Sequence, residues 1–147
     1  MLLATRLDAP APAPAAPAPA PALPGAPLLN ELIELRAALE VYDGDLTSWE
    51  RRGNIYPAAS VQKSYDALAS RLSEAATQFA FTRPDAFELA RNLRSDALFV
   101  SRIAGKMNVM AEQDITFGAG WNTALDRSVR DVMAATDLLL NQPTAAN

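Results

Sequence analysis

Asp43, Asp45 and Thr47 put three oxygen-bearing side chains at the alternating positions with which a calcium loop begins. Such a loop also needs a glycine at its sixth position and a glutamate at its twelfth. Here those positions hold Ser48 and Asn54, so the triplet is expected to form a polar bend. Glu31 and Glu34 have the spacing to offer carboxylates to a di-metal centre in a helical bundle, but that chemistry takes Glu-x-x-His pairs. The chain has no histidine. Phe117-Gly-Ala-Gly-Trp121 stands ahead of a helical stretch, yet it lacks the lysine and the preceding strand of a phosphate loop. Its glycines are expected to let Phe117 and Trp121 fold back on the end of the fold. The pairs Arg51-Arg52 and Arg127 with Arg130 have the donors to hold a phosphate or a carboxylate, and in an acidic chain they are expected to pair at the surface. The lack of histidine removes the commonest general base, and the lack of cysteine removes thiolate nucleophiles, thiolate metal ligands and disulfides. Catalytic residues, metal ligands and a cofactor are therefore expected to be absent.

The elements carrying these groups follow from apolar spacing. Leu28, Leu32, Leu35, Leu39, Tyr42, Leu46 and Trp49 alternate at intervals of four and three residues, which lines them along one helix face. This predicts a first helix over roughly 28–52, with a bend or break at Gly44, where a glycine costs about 1 kcal/mol relative to alanine. Thr47 and Glu50 stand at capping-box spacing to restart it. Gly53, Asn54 and Pro57 end the element. Val61, Tyr65, Leu68, Leu72, Ala75 and Phe79 predict a second helix over roughly 60–81, with Ser60 as its N-cap. Pro84 opens a third over roughly 84–113, with Thr82 and Asp85 as a capping box.

The apolar residues of that third helix, among them Phe87, Leu89, Leu93, Leu98, Phe99, Val100, Ile103, Met107 and Met110, cover more than one face. It is therefore expected to sit centrally or at an oligomer contact, with Ala104-Gly105 as a place of close helix approach. Thr123 and Asp126 cap a fourth helix over roughly 123–141, which carries Leu125, Val129, Val132, Thr136 and Leu139 and is stopped by Pro143. The expected fold is all-α, an up-and-down four-helix bundle over 28–147.

Residues 1–27 are of a different kind. Eight of the chain's 11 prolines lie between Pro10 and Pro27 and alternate with alanine. Proline fixes its own φ and keeps the preceding residue out of the α region, so an extended polyproline II arm is expected. At about 3.1 Å per residue it would span on the order of 60 Å. Its short apolar tip, Met1, Leu2, Leu3 and Leu7, is expected to dock on a partner. Interrupted by Arg6, the same tip is too short for a signal peptide's apolar region. The arm cannot cross a membrane, because its prolines leave helical hydrogen bonds unmade.

With 50% apolar and 20% charged residues, the rest should fold around one core. A net charge of −4 argues against nucleic acid or an anionic membrane as partner. That charge is uneven: acids dominate from Glu31 to Arg52 and bases from Arg83 to Lys106, so complementary faces are available to meet within the bundle or between subunits. The expectation is a soluble, unexported chain, cytoplasmic or part of a virion-type particle.

Leu35-Arg36, Leu39, Asp43, Leu46 and Arg52 resemble the first helix of the all-helical chorismate mutases, with the arginine one position short of that family's spacing and Pro57 interrupting its long helix. The resemblance implies a small helical enzyme in which Arg36, Arg52 and Lys63 orient an anionic substrate. The composition and the arm point instead to a non-catalytic structural or assembly protein. It is expected to bind protein subunits, including copies of itself, through Met1, Leu2, Leu3 and Leu7 of the arm and Phe99, Ile103, Met107 and Met110 of the third helix. By analogy of design, its most specific form is a minor structural or decoration component of a bacteriophage virion.

Overall fold

A computed structural model describes residues 26–51, 58–115 and 118–141. Four helices account for almost all of them: α1 (Ala26–Arg51), α2 (Ala59–Thr82), α3 (Phe87–Glu112), preceded by a 3-10 turn at Pro84–Ala86, and α4 (Ala119–Leu140). No strand occurs among the described residues. The helices pack in a ring in which α1 meets α2 and α4, and α3 meets α2 and α4, the α2–α3 seam being the most extensive. Neighbours run antiparallel. Between α1 and α4, Arg36 pairs with Asp137 and Asp43 with Arg130. Between α2 and α3, Lys63 pairs with Glu112 and Ser70 with Ser101. The result is the expected up-and-down four-helix bundle.

Each predicted stripe faces the centre of the ring. Leu32, Leu35, Leu39 and Leu46 of α1 are buried, as are Tyr65, Leu68, Leu72, Ala75 and Phe79 of α2 and Leu125, Val129, Val132, Thr136 and Leu139 of α4. The buried stripe of α3 is Ala90, Leu93, Ala97, Val100, Ala104 and Met107. Its alternate alanines, with Ala69 and Ala76 of α2, keep the space between these two helices small. Phe87, Leu98 and Phe99 lie outside that stripe and reach solvent.

Several local expectations are corrected. α1 runs unbroken through Gly44, and Thr47 donates its hydroxyl to the Asp43 carbonyl at 3.0 Å within the helix instead of capping a new one. Burial of Leu39 and Leu46 on either side outweighs the glycine's cost of about 1 kcal/mol. The N-cap of α2 is Ala58, and Ser60 lies in the first turn. Thr82 binds back to the carbonyls of Gln78 and Phe79, so it finishes α2 and caps nothing after it. α4 begins at Gly118 as N-cap, ahead of Thr123. Gly105 is no close-approach site, since a Cβ placed there would meet nothing within 4 Å.

The two ends of α3 are built differently. At its start, buried Arg83 holds Asp85 through both guanidinium edges, its Nε donating at 2.9 Å, and lies 5.8 Å from the centre of the Phe79 ring. At its end, Ile115 N–H donates to the Met110 carbonyl at 2.8 Å and Asp114 N–H to that of Ala111 at 3.2 Å. This is a Schellman closure whose left-handed position, at φ 56°, is filled by Asp114 and not by the usual glycine.

Candidate interaction surface

The outer side of α3 is where the structure departs furthest from an ordinary polar exterior. α2 and α4 cover one side of this helix, which leaves its remaining apolar side chains outside: Phe87, Leu98, Phe99 and Val109 are 50%, 40%, 50% and 51% exposed. Arg91, Arg94, Arg102 and Lys106 stand among them, all exposed. Arg91 reaches Glu88 at 3.0 Å. Arg94, Arg102 and Lys106 have no ion-pair partner among the described residues. In a chain of net charge −4, this helix face carries uncompensated positive charge on an apolar base.

Three clefts open along it. One of about 650 Å3 is bordered by Arg91, Arg94, Leu98, Phe99 and Arg102, with Asp96 as the acid on its edge. A second, of about 610 Å3, lies where Trp121 of α4 stands beside Gly105, Lys106, Val109 and Met110. The third, about 340 Å3, lies between the end of α2 and the start of α3, flanked by Phe81 and Phe87 over a floor of Ala76, Ala80 and Ala90. Phe81 is 83% exposed. Aromatic and arginine side chains around an apolar floor are the composition that anchors protein contacts, because both offer large area at modest entropic cost.

A second group of unusual side chains lies inside, toward the end of the bundle where α1 and α3 finish and α2 and α4 begin. Gln62, Asn108 and Asn122 are each within roughly a turn of their helix end and are all buried. Tyr65, one turn deeper, is fully buried against Tyr42, ring centres 5.4 Å apart. Its hydroxyl and the side-chain amide atoms of Asn122 have no hydrogen-bond partner among the described residues. Burial first, and then the nearby carboxylates of Asp43, Asp126 and Asp45, push the Tyr65 phenol well above its ordinary value of 10.0. It stays protonated at neutral pH, and the amides carry no charge.

Of the residues predicted to bind a partner, Phe99 is at the surface. Ile103 and Met107 are in the core and Met110 is half-buried against it. The reason is geometric: Val100, Ile103, Ala104 and Met107 fall on the side of α3 that both neighbours use, so only part of its wide apolar band is free. Met1, Leu2, Leu3, Leu7 and the proline-rich arm lie outside the described residues, as do Arg52 and Phe117.

Arg36 is held by Asp137 through two bonds of 2.9 and 3.1 Å and by Glu40 at 2.9 Å, while Lys63 pairs with Glu112 on the α2–α3 seam. These two cations are not brought together. Asp43, Asp45 and Thr47 are part of continuous helix, and Glu31 pairs with Arg71 at 3.4 Å. Among the described residues no group of three or more acidic side chains is placed to hold a metal ion, and no helix is long and apolar enough to cross a membrane. The sequence reading passed over Phe81 and the row Arg94, Arg102, Lys106. The row's spacings of eight and four would have placed all three on one face.

Set against protein-family models, curated proteins and solved structures, the chain matches none.

Proposed function

We propose that this protein is a non-catalytic assembly component that binds other protein subunits through the outer face of α3, with its proline-rich N-terminal arm as a second, reaching contact. One observation carries the reading: exposed Phe87, Leu98, Phe99 and Val109 are interleaved with Arg94, Arg102 and Lys106, which make no ion pair among the described residues. Apolar area of this kind gains free energy on leaving water, and unpaired arginines at its rim favour an acidic partner and speed encounter with it. The reading's most specific form is a minor structural or decoration protein of a virion, a setting in which extended arms tie shell subunits together.

The test is site-specific photocross-linking with p-benzoylphenylalanine in place of Phe99, and in place of exposed Ala67 on α2 as a control, in the cells that make the protein. A discrete protein adduct from position 99, absent from position 67 and weakened by Arg102→Glu, is the expected result. Equal or no adducts from the two positions would end the proposal. A chain starting at Leu28 that gives the same adduct in the same yield would remove the arm from it.

A further inference from the structure

α1 and α3 occupy opposite corners of the ring and do not pack as neighbours. Their solvent-facing sides share an apolar base and carry opposite charge. On α1, Ile33 and Val41 are 49% and 64% exposed, and the exposed charged residues beside them are Glu34, Glu40 and Asp45. Glu40 shares Arg36 with Asp137, whereas Glu34 and Asp45 have no ion-pair partner among the described residues. On α3 the matching set is Leu98 and Phe99 with Arg94, Arg102 and Lys106. Glu34 to Asp45 spans about 17 Å along its helix and Arg94 to Lys106 about 18 Å. α3 also has exposed acids, but Glu88 is taken by Arg91 and Glu112 by Lys63, whereas the outer sides of α2 and α4 mix signs along their length: Lys63, Arg71 and Glu74 on one, Arg127, Arg130 and Asp131 on the other.

We propose that the outer face of α3 binds the outer face of α1 on a second copy of this chain. The inference rests on the reading of α3 as a protein-contact face and names its occupant. Two-fold pairing is disfavoured, because α3 against α3 would set Arg94, Arg102 and Lys106 against their own copies, and α1 against α1 would do the same with the acids. The head-to-tail contact brings opposite charges together over matched lengths. It also leaves one used and one unused face on each copy. Association of this type continues into a ring or a filament and does not stop at a dimer.

Sedimentation velocity of the full chain over a concentration series tests this. Species larger than a dimer are expected to grow with concentration at low salt. They are expected to fall away in 1 M salt, where the screening length drops from about 10 Å to about 3 Å. Two double variants block one face each at exposed positions: Ile33→Ser with Val41→Ser on α1, and Leu98→Ser with Phe99→Ser on α3. Each alone should lose self-association by at least about tenfold. Mixed, they should form a one-to-one complex and nothing larger, since each supplies the face the other lacks. Circular dichroism confirms that both remain helical.

A wild-type chain that stays monomeric across the series, or a blocked variant that still dimerises with itself, would overturn the inference. If the wild type is monomeric while position 99 cross-links to a different protein, only this inference fails. If position 99 captures no protein at all, the underlying reading fails with it.

Discussion

The two ends of the bundle are held by different physics. At the end where α2 turns into α3, the interior is dry in the sense that its polar groups are satisfied: Phe79, Ala86, Ala90 and Leu93 are buried, the buried Thr136 hydroxyl donates to the Val132 carbonyl, and Arg83 ties down the turn by gripping Asp85. At the other end Gln62, Asn108 and Asn122 are buried at the helix termini with Tyr65 beneath them, and the turn out of α3 keeps an aspartate in left-handed backbone. A dry layer stabilises by area removed from water and tolerates many arrangements. A polar layer contributes little net stability. Where its groups lack partners, as the Tyr65 hydroxyl and the Asn122 amide do among the described residues, it costs desolvation that nothing nearby offsets. The apolar end thus supplies stability that the polar end draws down.

The sharpest way to break this contrast is at the dry end. Phe79→Ala removes a fully buried ring and is expected to cost about 3–5 kcal/mol in denaturant unfolding. A loss below 1 kcal/mol would show that this end is not the anchor. At the polar end the sign reverses. Asn122→Leu replaces buried, unpartnered amide atoms by an apolar group of similar size and should stabilise by about 1–3 kcal/mol. A clear loss of stability there would mean that the amide is well satisfied.

Base sharpens the same comparison. The buried Tyr65 phenol has its pKa raised in the folded state, so above its ordinary value of 10.0 the unfolded chain gives up a proton that the folded chain keeps. Stability should then fall by about 1.4 kcal/mol per pH unit as pH rises past that value, and Tyr65→Phe should flatten the slope. An unchanged slope would place the base-sensitive group elsewhere. The smallest effects concern backbone. Asp114→Gly relieves a left-handed residue, and Gly44→Ala fills open space in a helix interior; each should add about 1 kcal/mol, measured by the shift in denaturant midpoint.

Helix number and inward faces were legible in the sequence, because a stripe such as Leu32, Leu35, Leu39 and Leu46 has one sensible orientation in water. The ends were less legible. Thr47, Thr82 and Thr123 have capping spacing, yet none starts a helix: α1 and α4 run through Thr47 and Thr123 because burial continues on both sides of them, and Thr82 turns its hydroxyl back to close α2. The candidate surface was half legible. The surplus of apolar residues on α3 was visible as a band too wide for one neighbour, but periodicity alone could not say that Ile103 and Met107 would turn inward while Phe99 and Leu98 stayed out. That division depends on which two helices flank α3, a fact of tertiary packing. The charged faces of α1 and α3 showed as blocks of acid and base along the chain. Their placement at opposite corners came only with the ring.

The salt link from Arg36 to Asp137 means that the first helix begins and the last one finishes at the same pole of the molecule. Sewing those two ends together and cutting the chain open somewhere in 52–57 would give a permuted protein with the same four neighbours.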